Sequence, residues 1–177
     1  MIAAARLAAF MIAGALTSAA GAASWPSVGN PLSPICDFVC DGTWSAATPP
    51  VPDQFVITYA YHWNAQPGVV SGTVQTTGGF AGVHRETKVT YGYDPAADAL
   101  TVHLEVDDNP PLDGTVEVLA DGYRQIVIWP ARADNAEHTV VTTYRFPTAD
   151  EMIVRTEISS PGSTPSSGEE SYVRKSR

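Results

Sequence analysis

His84 with Glu86 and His103 with Glu105 repeat a His-x-Glu spacing. Residues two apart share one face of a β-strand, so each pair would present imidazole and carboxylate together, a donor set suited to zinc or iron. Cys36 and Cys40 are the only cysteines. Their C-x-x-x-C spacing is one residue longer than that of thioredoxin-like redox sites and no βαβ pattern surrounds it, so a structural disulfide is expected rather than a redox pair. His138 has the chemistry of a general acid or base, or of a hydrogen-bonding group at the end of a strand. A Ser-His-carboxylate triad lacks the Gly-x-Ser-x-Gly elbow that would present its nucleophile, and no catalytic residue is assigned. Arg85 and the tyrosines remain, and their role depends on which face of which element carries them.

The elements that position these groups are strands. After Pro52 the chain alternates with a period of two and turn signals recur every eight to twelve residues or so, the pattern of an antiparallel all-β domain. Phe55, Ile57, Tyr59, Tyr61 and Trp63 share the apolar, inner face of the first long strand. Three hairpins can be registered by requiring apolar residues to fall on one side. In the first, Tyr93 pairs with Leu100, Tyr91 with Val102, Val89 with Leu104 and Thr87 with Val106, which sets Lys88 opposite Glu105 on the outer face. In the second, Asp121-Gly122 reads as a type I′ turn, so Ala120 faces Tyr123, Val118 faces Gln125 and Val116 faces Val127. The third turns at Pro147 to Glu151 and sets Phe146 beside Met152, Tyr144 beside Val154, Thr142 beside Thr156 and Val140 beside Ile158. A polar loop from Ser159 to Gly168 then precedes a last strand from Glu169 to Lys175.

These registers decide between the chemistries. His103 falls opposite Thr90, six residues along the strand from His84, or roughly 20 Å at about 3.3 Å per residue. One metal cannot bridge that gap and both pairs lie on the outer face, so no metal site is expected. Tyr59, Tyr61, Tyr91, Tyr93, Tyr123 and Tyr144 all face inward, with Trp63. They either line a pocket or fill a small core. Arg85 falls on the same side, opposite Asp108, where an ion pair at one end of the domain would either anchor an anionic head group or lie exposed at the rim.

Ten basic against nineteen acidic residues give a net charge of -9, without the cationic face a nucleic-acid binder needs. Residues 1–23 have the layout of a secretory signal peptide: Arg6, an apolar stretch Leu7 to Leu16, then small residues permitting cleavage after Ala22 or Ala23. The stretch is about half of the roughly 20 residues a spanning helix needs. No second apolar run long enough to cross a bilayer follows, so an exported chain, periplasmic or extracellular, is expected, and export makes a Cys36–Cys40 disulfide natural. In the N-terminal segment 24–41, Ser33 would cap a single helical turn from Pro34. That would place the two cysteine Cα atoms near the upper end of the bridging range of about 4.4 to 6.8 Å.

Residues 42–177 hold nine or ten strands joined by neighbouring connections. Closure removes the edges of such a sheet, so an antiparallel up-and-down barrel is the expected fold, with a β-sandwich as the alternative. A short helical turn, then Gly42-Thr43-Trp44, then sequential hairpins and a late strand bearing Arg174, resembles the lipocalin-like (calycin) barrels. That resemblance implies Trp44 at the closed end of the barrel with Arg174 packed across it. The stretch Tyr91-Gly92-Tyr93-Asp94-Pro95 is also similar to secreted bacterial lipocalin-like domains of unknown function. In strand count the chain resembles the nitrobindin-like haem barrels too. No histidine follows His138, so the late-chain haem ligand of that family has no counterpart and no cofactor is expected.

The function expected is the binding of a small, mostly apolar molecule in the barrel interior, at Tyr59, Tyr61, Trp63, Arg85, Tyr91, Tyr93, Tyr123 and Tyr144. Two alternatives stand beside it. One is a non-enzymatic interaction module with a filled core, acting through its acidic surface or the 159–168 loop. The other is a barrel-type enzyme using Arg85, His138 and the inner tyrosines.

Overall fold

The computed structural model describes residues 26–27, 29–47, 55–66, 68–78, 83–107, 109–130 and 137–176. The signal-like segment lies outside these. One short helix, α1 (Ser33–Val39), precedes ten strands: β1 (Gly42–Ala46), β2 (Phe55–Asn64), β3 (Val69–Gly78), β4 (Val83–Asp94), β5 (Ala99–Val106), β6 (Leu112–Leu119), β7 (Gly122–Trp129), β8 (His138–Thr148), β9 (Glu151–Ser159) and β10 (Ser166–Ser176). Every strand pairs antiparallel with its chain neighbours, and β1 also pairs with β10, so the sheet closes into a barrel. Closure leaves no edge strand, the problem a ten-strand meander would otherwise carry.

The β4–β5 register has Tyr93 opposite Leu100 and Thr87 opposite Val106, as the apolar alternation requires, and Lys88 Nζ lies 3.4 Å from Glu105 on the outer face. The β6–β7 register differs from expectation. Val118 pairs with Tyr123, Val116 with Gln125 and Gly114 with Val127, and the turn is Ala120-Asp121. Neither turn residue nor Gly122 has the positive φ a type I′ turn demands. Gly122 belongs instead to β7, where the Tyr144 carbonyl of β8 approaches so closely that a Cβ would sit 1.9 Å from its oxygen. A shift of two residues leaves every side chain on its expected face, because the pleat repeats every two.

In β8–β9, Tyr144 pairs with Val154, Thr142 with Thr156 and Val140 with Ile158, while Phe146 leaves the ladder in the irregularity between Arg145 and Thr148. There its amide donates to Asp121 O at 2.8 Å, tying this hairpin to the β6–β7 turn. The last strand starts earlier than the polar composition implied. Ser166 already pairs with Ile158, so residues 166–168 are strand and the β9–β10 loop shortens to 160–165.

α1 runs two turns rather than one. Its N-cap is Leu32, whose amide donates to Asn30 Oδ1 at 2.9 Å, and no side chain of Ser33 caps it. Cys36 and Cys40 are joined, with Cα atoms 4.7 Å apart, nearer the short end of the range than the long one. The reason is local: Cys40 ends the helix in an extended conformation while its amide still donates to Cys36 O. The buried Ile35, Cys36 and Val39 face β2 and β7. With the β2–β3, β4–β5, β6–β7 and β8–β9 hairpins around it, the helix closes one end of the barrel.

Within the wall, Gly72 of β3 lies beneath the Tyr61 ring, where a Cβ would come 2.2 Å from Cδ1 and 2.7 Å from the Ala60 carbonyl oxygen. Gly72→Ala is therefore expected to displace that ring and destabilise the fold by about 1–3 kcal/mol, the range for overpacking. A lower urea midpoint at unchanged m-value checks it, and an unchanged midpoint refutes it.

Candidate functional site

The inner tyrosines form a closed circuit. Ring centroids run from Tyr59 to Tyr61 at 6.4 Å, to Tyr91 at 6.1 Å, to Tyr123 at 5.5 Å, to Tyr144 at 4.6 Å and back to Tyr59 at 6.1 Å. All five are buried. They come from β2, β4, β7 and β8, whose inward positions meet at one level of the barrel. Tyr91 donates its hydroxyl proton to Gln125 Oε1 at 3.1 Å, which leaves the Tyr123 hydroxyl, 3.2 Å away, to donate to Tyr91. Burial raises the pKa of every member well above the ordinary tyrosine value, with neighbouring phenols adding to the rise. They are held as neutral phenols, poor bases at any physiological pH, which removes a tyrosinate from the chemistry open to this interior.

Toward α1 the aromatic packing continues. Phe146 stacks on Phe38 at 4.9 Å and meets Trp44 edge-on at 5.5 Å. Trp44 is wholly buried and pairs with Arg174 across β1 and β10, the guanidinium carbon lying 4.5 Å from its ring centroid. Arg174 Nη2 also donates to Phe38 O at 3.0 Å, so the plug is bound to the helix. Gly42 is glycine because a Cβ there would meet Trp44 Nε1 at 3.0 Å and Arg174 Cζ at 3.3 Å.

The remaining sequence-derived positions do not join the circuit. Trp63 is half-buried near the closed end. Tyr93 is 37% exposed there and donates to Asp98 Oδ1 at 2.6 Å. Arg85 lies at the opposite end, its side chain 69% exposed and its Nε 4.0 Å from Asp107. The expected partner, Asp108, is outside the described residues. The described β5 ends at Val106, and Asp107 just after it is left-handed at φ 44. His138 Nδ1 lies 2.5 Å from Ser160 Oγ at that same end. His103 Nδ1 meets Asp113 Oδ1 at 2.7 Å on the outer face, and no group of three or more potential metal ligands occurs among the described residues.

Above the tyrosine circuit the inner face changes character. Buried Gln125 and Thr142, paired across β7 and β8, form a polar step; beyond them Leu112 and Val127 are still buried, while Ile57, Leu104, Val106 and Val140 are half-buried. Phe55 and Ile158, on the same inward alternation, are 59% and 42% exposed. At this open end the described β1 ladder reaches Ala46, with the Ala47 amide donating to Ser171 O at 2.8 Å, and a cleft of about 230 Å³ opens between β2 and β10. Ile57 and Tyr59 line one side and Val154, Thr156, Gly168, Glu169, Glu170 and Tyr172 the other. Tyr172 is buried, meets Tyr59 edge-on at 4.9 Å and donates its hydroxyl to a Glu170 oxygen.

Tyr172 and Glu170 are cleft-lining positions that the sequence reading did not single out. The signal was present: once Arg174 is placed inward over Trp44, a period of two puts Tyr172 and Glu170 on the same face. Among the described residues no helix is long and apolar enough to cross a membrane. No protein-family model, curated protein or solved structure matches the chain.

Proposed function

We propose that this chain is an exported, lipocalin-like barrel that binds one small, mostly apolar molecule above the tyrosine circuit. The observation that carries this reading is the cleft of about 230 Å³ lined by Ile57, Tyr59, Val154 and Tyr172 at the end where part of the apolar inner face is only half-buried or exposed. A barrel whose interior were meant only to be filled would bury that face as completely as it buries the other end. The cleft lies below the roughly 300–1,000 Å³ of drug-sized pockets, so its occupant is small. The buried tyrosines act as the floor of the site rather than its walls, and the organised closed end supports an open, ligand-accepting one.

The packed circuit favours a second reading, an interaction module with a filled core working through its acidic outside. Gly168 separates the two experimentally, because a Cβ there meets only open space. Gly168→Phe is expected to plug the cleft without unfolding the barrel. Thermal shift of the wild-type protein against a panel of small lipids and aromatic metabolites should give stabilisation by at least one compound, lost in Gly168→Phe. No stabilisation by any compound, with nothing carried in native mass spectra, would favour the module.

A further inference from the structure

Glu170 occupies an inward position of β10, opposite Val154 and flanked on that face by Gly168 and Tyr172. Glu170 is exposed, so its carboxylate stands in solvent at the mouth of the cleft, beside the buried side chains of Val154 and Tyr172. Its one partner among the described residues is the Tyr172 hydroxyl, which has a single proton to give. Among the described residues the ion pairs, such as Lys88–Glu105 and Arg155–Glu157, lie elsewhere, and none reaches Glu170. A carboxylate has about four acceptor sites, so one donated phenol leaves acceptor capacity at the cleft mouth for an incoming donor.

The rest of the cleft suits a ligand that brings such a donor. Tyr59 and Tyr172 meet edge to face beside the carboxylate, and aromatic faces attract a cation through their quadrupole. Ile57 and Val154 supply apolar contact. Thr156 adds a neutral hydroxyl opposite Gly168, whose missing side chain keeps the approach open. A net charge of -9 attracts cations from a distance and repels anions.

We infer that the cleft is a site for a small organic cation, a primary or secondary ammonium on an aromatic or aliphatic body, with Glu170 receiving the ammonium and the Tyr59–Tyr172 pair and Ile57 receiving the body. This rests on the ligand-binding reading above and names the ligand class. Charge recognition and apolar binding separate with three probes of matched shape: phenethylamine, 2-phenylethanol and 3-phenylpropionate, titrated calorimetrically at pH 7 into the wild-type protein and into Glu170→Gln.

Phenethylamine is expected to bind at least tenfold tighter than 2-phenylethanol, with no detectable binding of 3-phenylpropionate. Glu170→Gln should lose that preference at least tenfold while leaving the affinity for 2-phenylethanol unchanged. Equal binding of amine and alcohol, or an amine preference that survives Glu170→Gln, overturns the cation assignment and leaves the apolar site standing. If none of the three binds and Gly168→Phe has no effect on any ligand of the wider panel, the cation assignment and the binding reading fall together.

Discussion

Raising the pH from 10 to 11 is expected to unfold this protein cooperatively, with six of its seven tyrosines ionising only as the barrel is lost. Tyr59, Tyr61, Tyr91, Tyr123, Tyr144 and Tyr172 are all buried, and burial is the largest cause of the upward pKa shift at each. In the unfolded chain the same phenols titrate near 10. Above that pH the unfolded state holds fewer protons than the folded one, so stability falls as pH rises; below it the two states hold equal numbers and these residues contribute no slope. One unit above the unfolded pKa, each phenol costs about 1.4 kcal/mol and the six together about 8 kcal/mol, a sum comparable to the roughly 5–15 kcal/mol that holds a domain together.

Tyr93 is the internal control. Its hydroxyl is exposed, and its pKa is raised mainly through the hydrogen bond to Asp98, so it titrates on the folded barrel. Absorbance near 295 nm followed against far-ultraviolet circular dichroism should therefore show six phenolates appearing together with the loss of strand signal, while Tyr93, its own pKa raised as well, contributes a seventh whose ionisation does not require the barrel to open. Phenolate absorbance that rises smoothly through six equivalents while the strand signal persists would mean that the circuit is open to water.

Where the sequence told the inner face correctly, it did so because closure and alternation act on the same residues. Apolar periodicity fixed which side of β4, β5, β8 and β9 faces inward and paired Tyr91 with Val102 and Tyr144 with Val154. It could not fix what depends on backbone proximity between strands distant along the chain. Gly122 reads locally as a turn glycine, and only the approach of the β8 carbonyl makes it a strand residue and moves the β6–β7 turn back to Ala120-Asp121. Asp107, similarly, turns left-handed just past the β5 ladder, a backbone turn that apolar alternation does not signal.

The candidate site was legible by halves. Five tyrosines were recoverable as inward residues, but alternation says only which side a ring is on. Whether rings at different heights meet to fill the interior or stand apart to enclose a pocket depends on stagger, which follows from strand number and shear. That stagger brings Tyr59, Tyr61, Tyr91, Tyr123 and Tyr144 to one level and leaves Tyr93 and Arg85 at opposite rims. Residues 166–168, all serine and glycine, look like loop, and this polar stretch masked the start of the strand that carries Glu170 and Tyr172.

Trp44→Ala should be the most damaging single truncation in the closed end. The indole is fully buried between the Arg174 guanidinium on one side and Phe146 on another, and α1 lies across both through Phe38. Removing it leaves a cavity that β1 cannot collapse into, since β1 is held on both sides by β2 and β10. Truncations of this size cost about 3–5 kcal/mol. The substitution also takes away the aromatic face beneath a largely desolvated cation, worth about 0.5–2 kcal/mol.

A double-mutant cycle with Arg174→Met separates the two contributions. Arg174→Met keeps the packing stem but loses the charge and the bond to Phe38 O, and if the cation–π contact is real the two substitutions together should cost less than the sum of each alone, by about 0.5–2 kcal/mol. Trp44→Phe, which keeps a ring over which the guanidinium can lie, should recover more than half of the loss. A Trp44→Ala midpoint within about 1 kcal/mol of wild type would show that the closed end carries no more weight than an ordinary surface position. Strict additivity with Arg174→Met would show instead that Arg174 holds the helix through Phe38 alone and owes nothing to the indole beneath it.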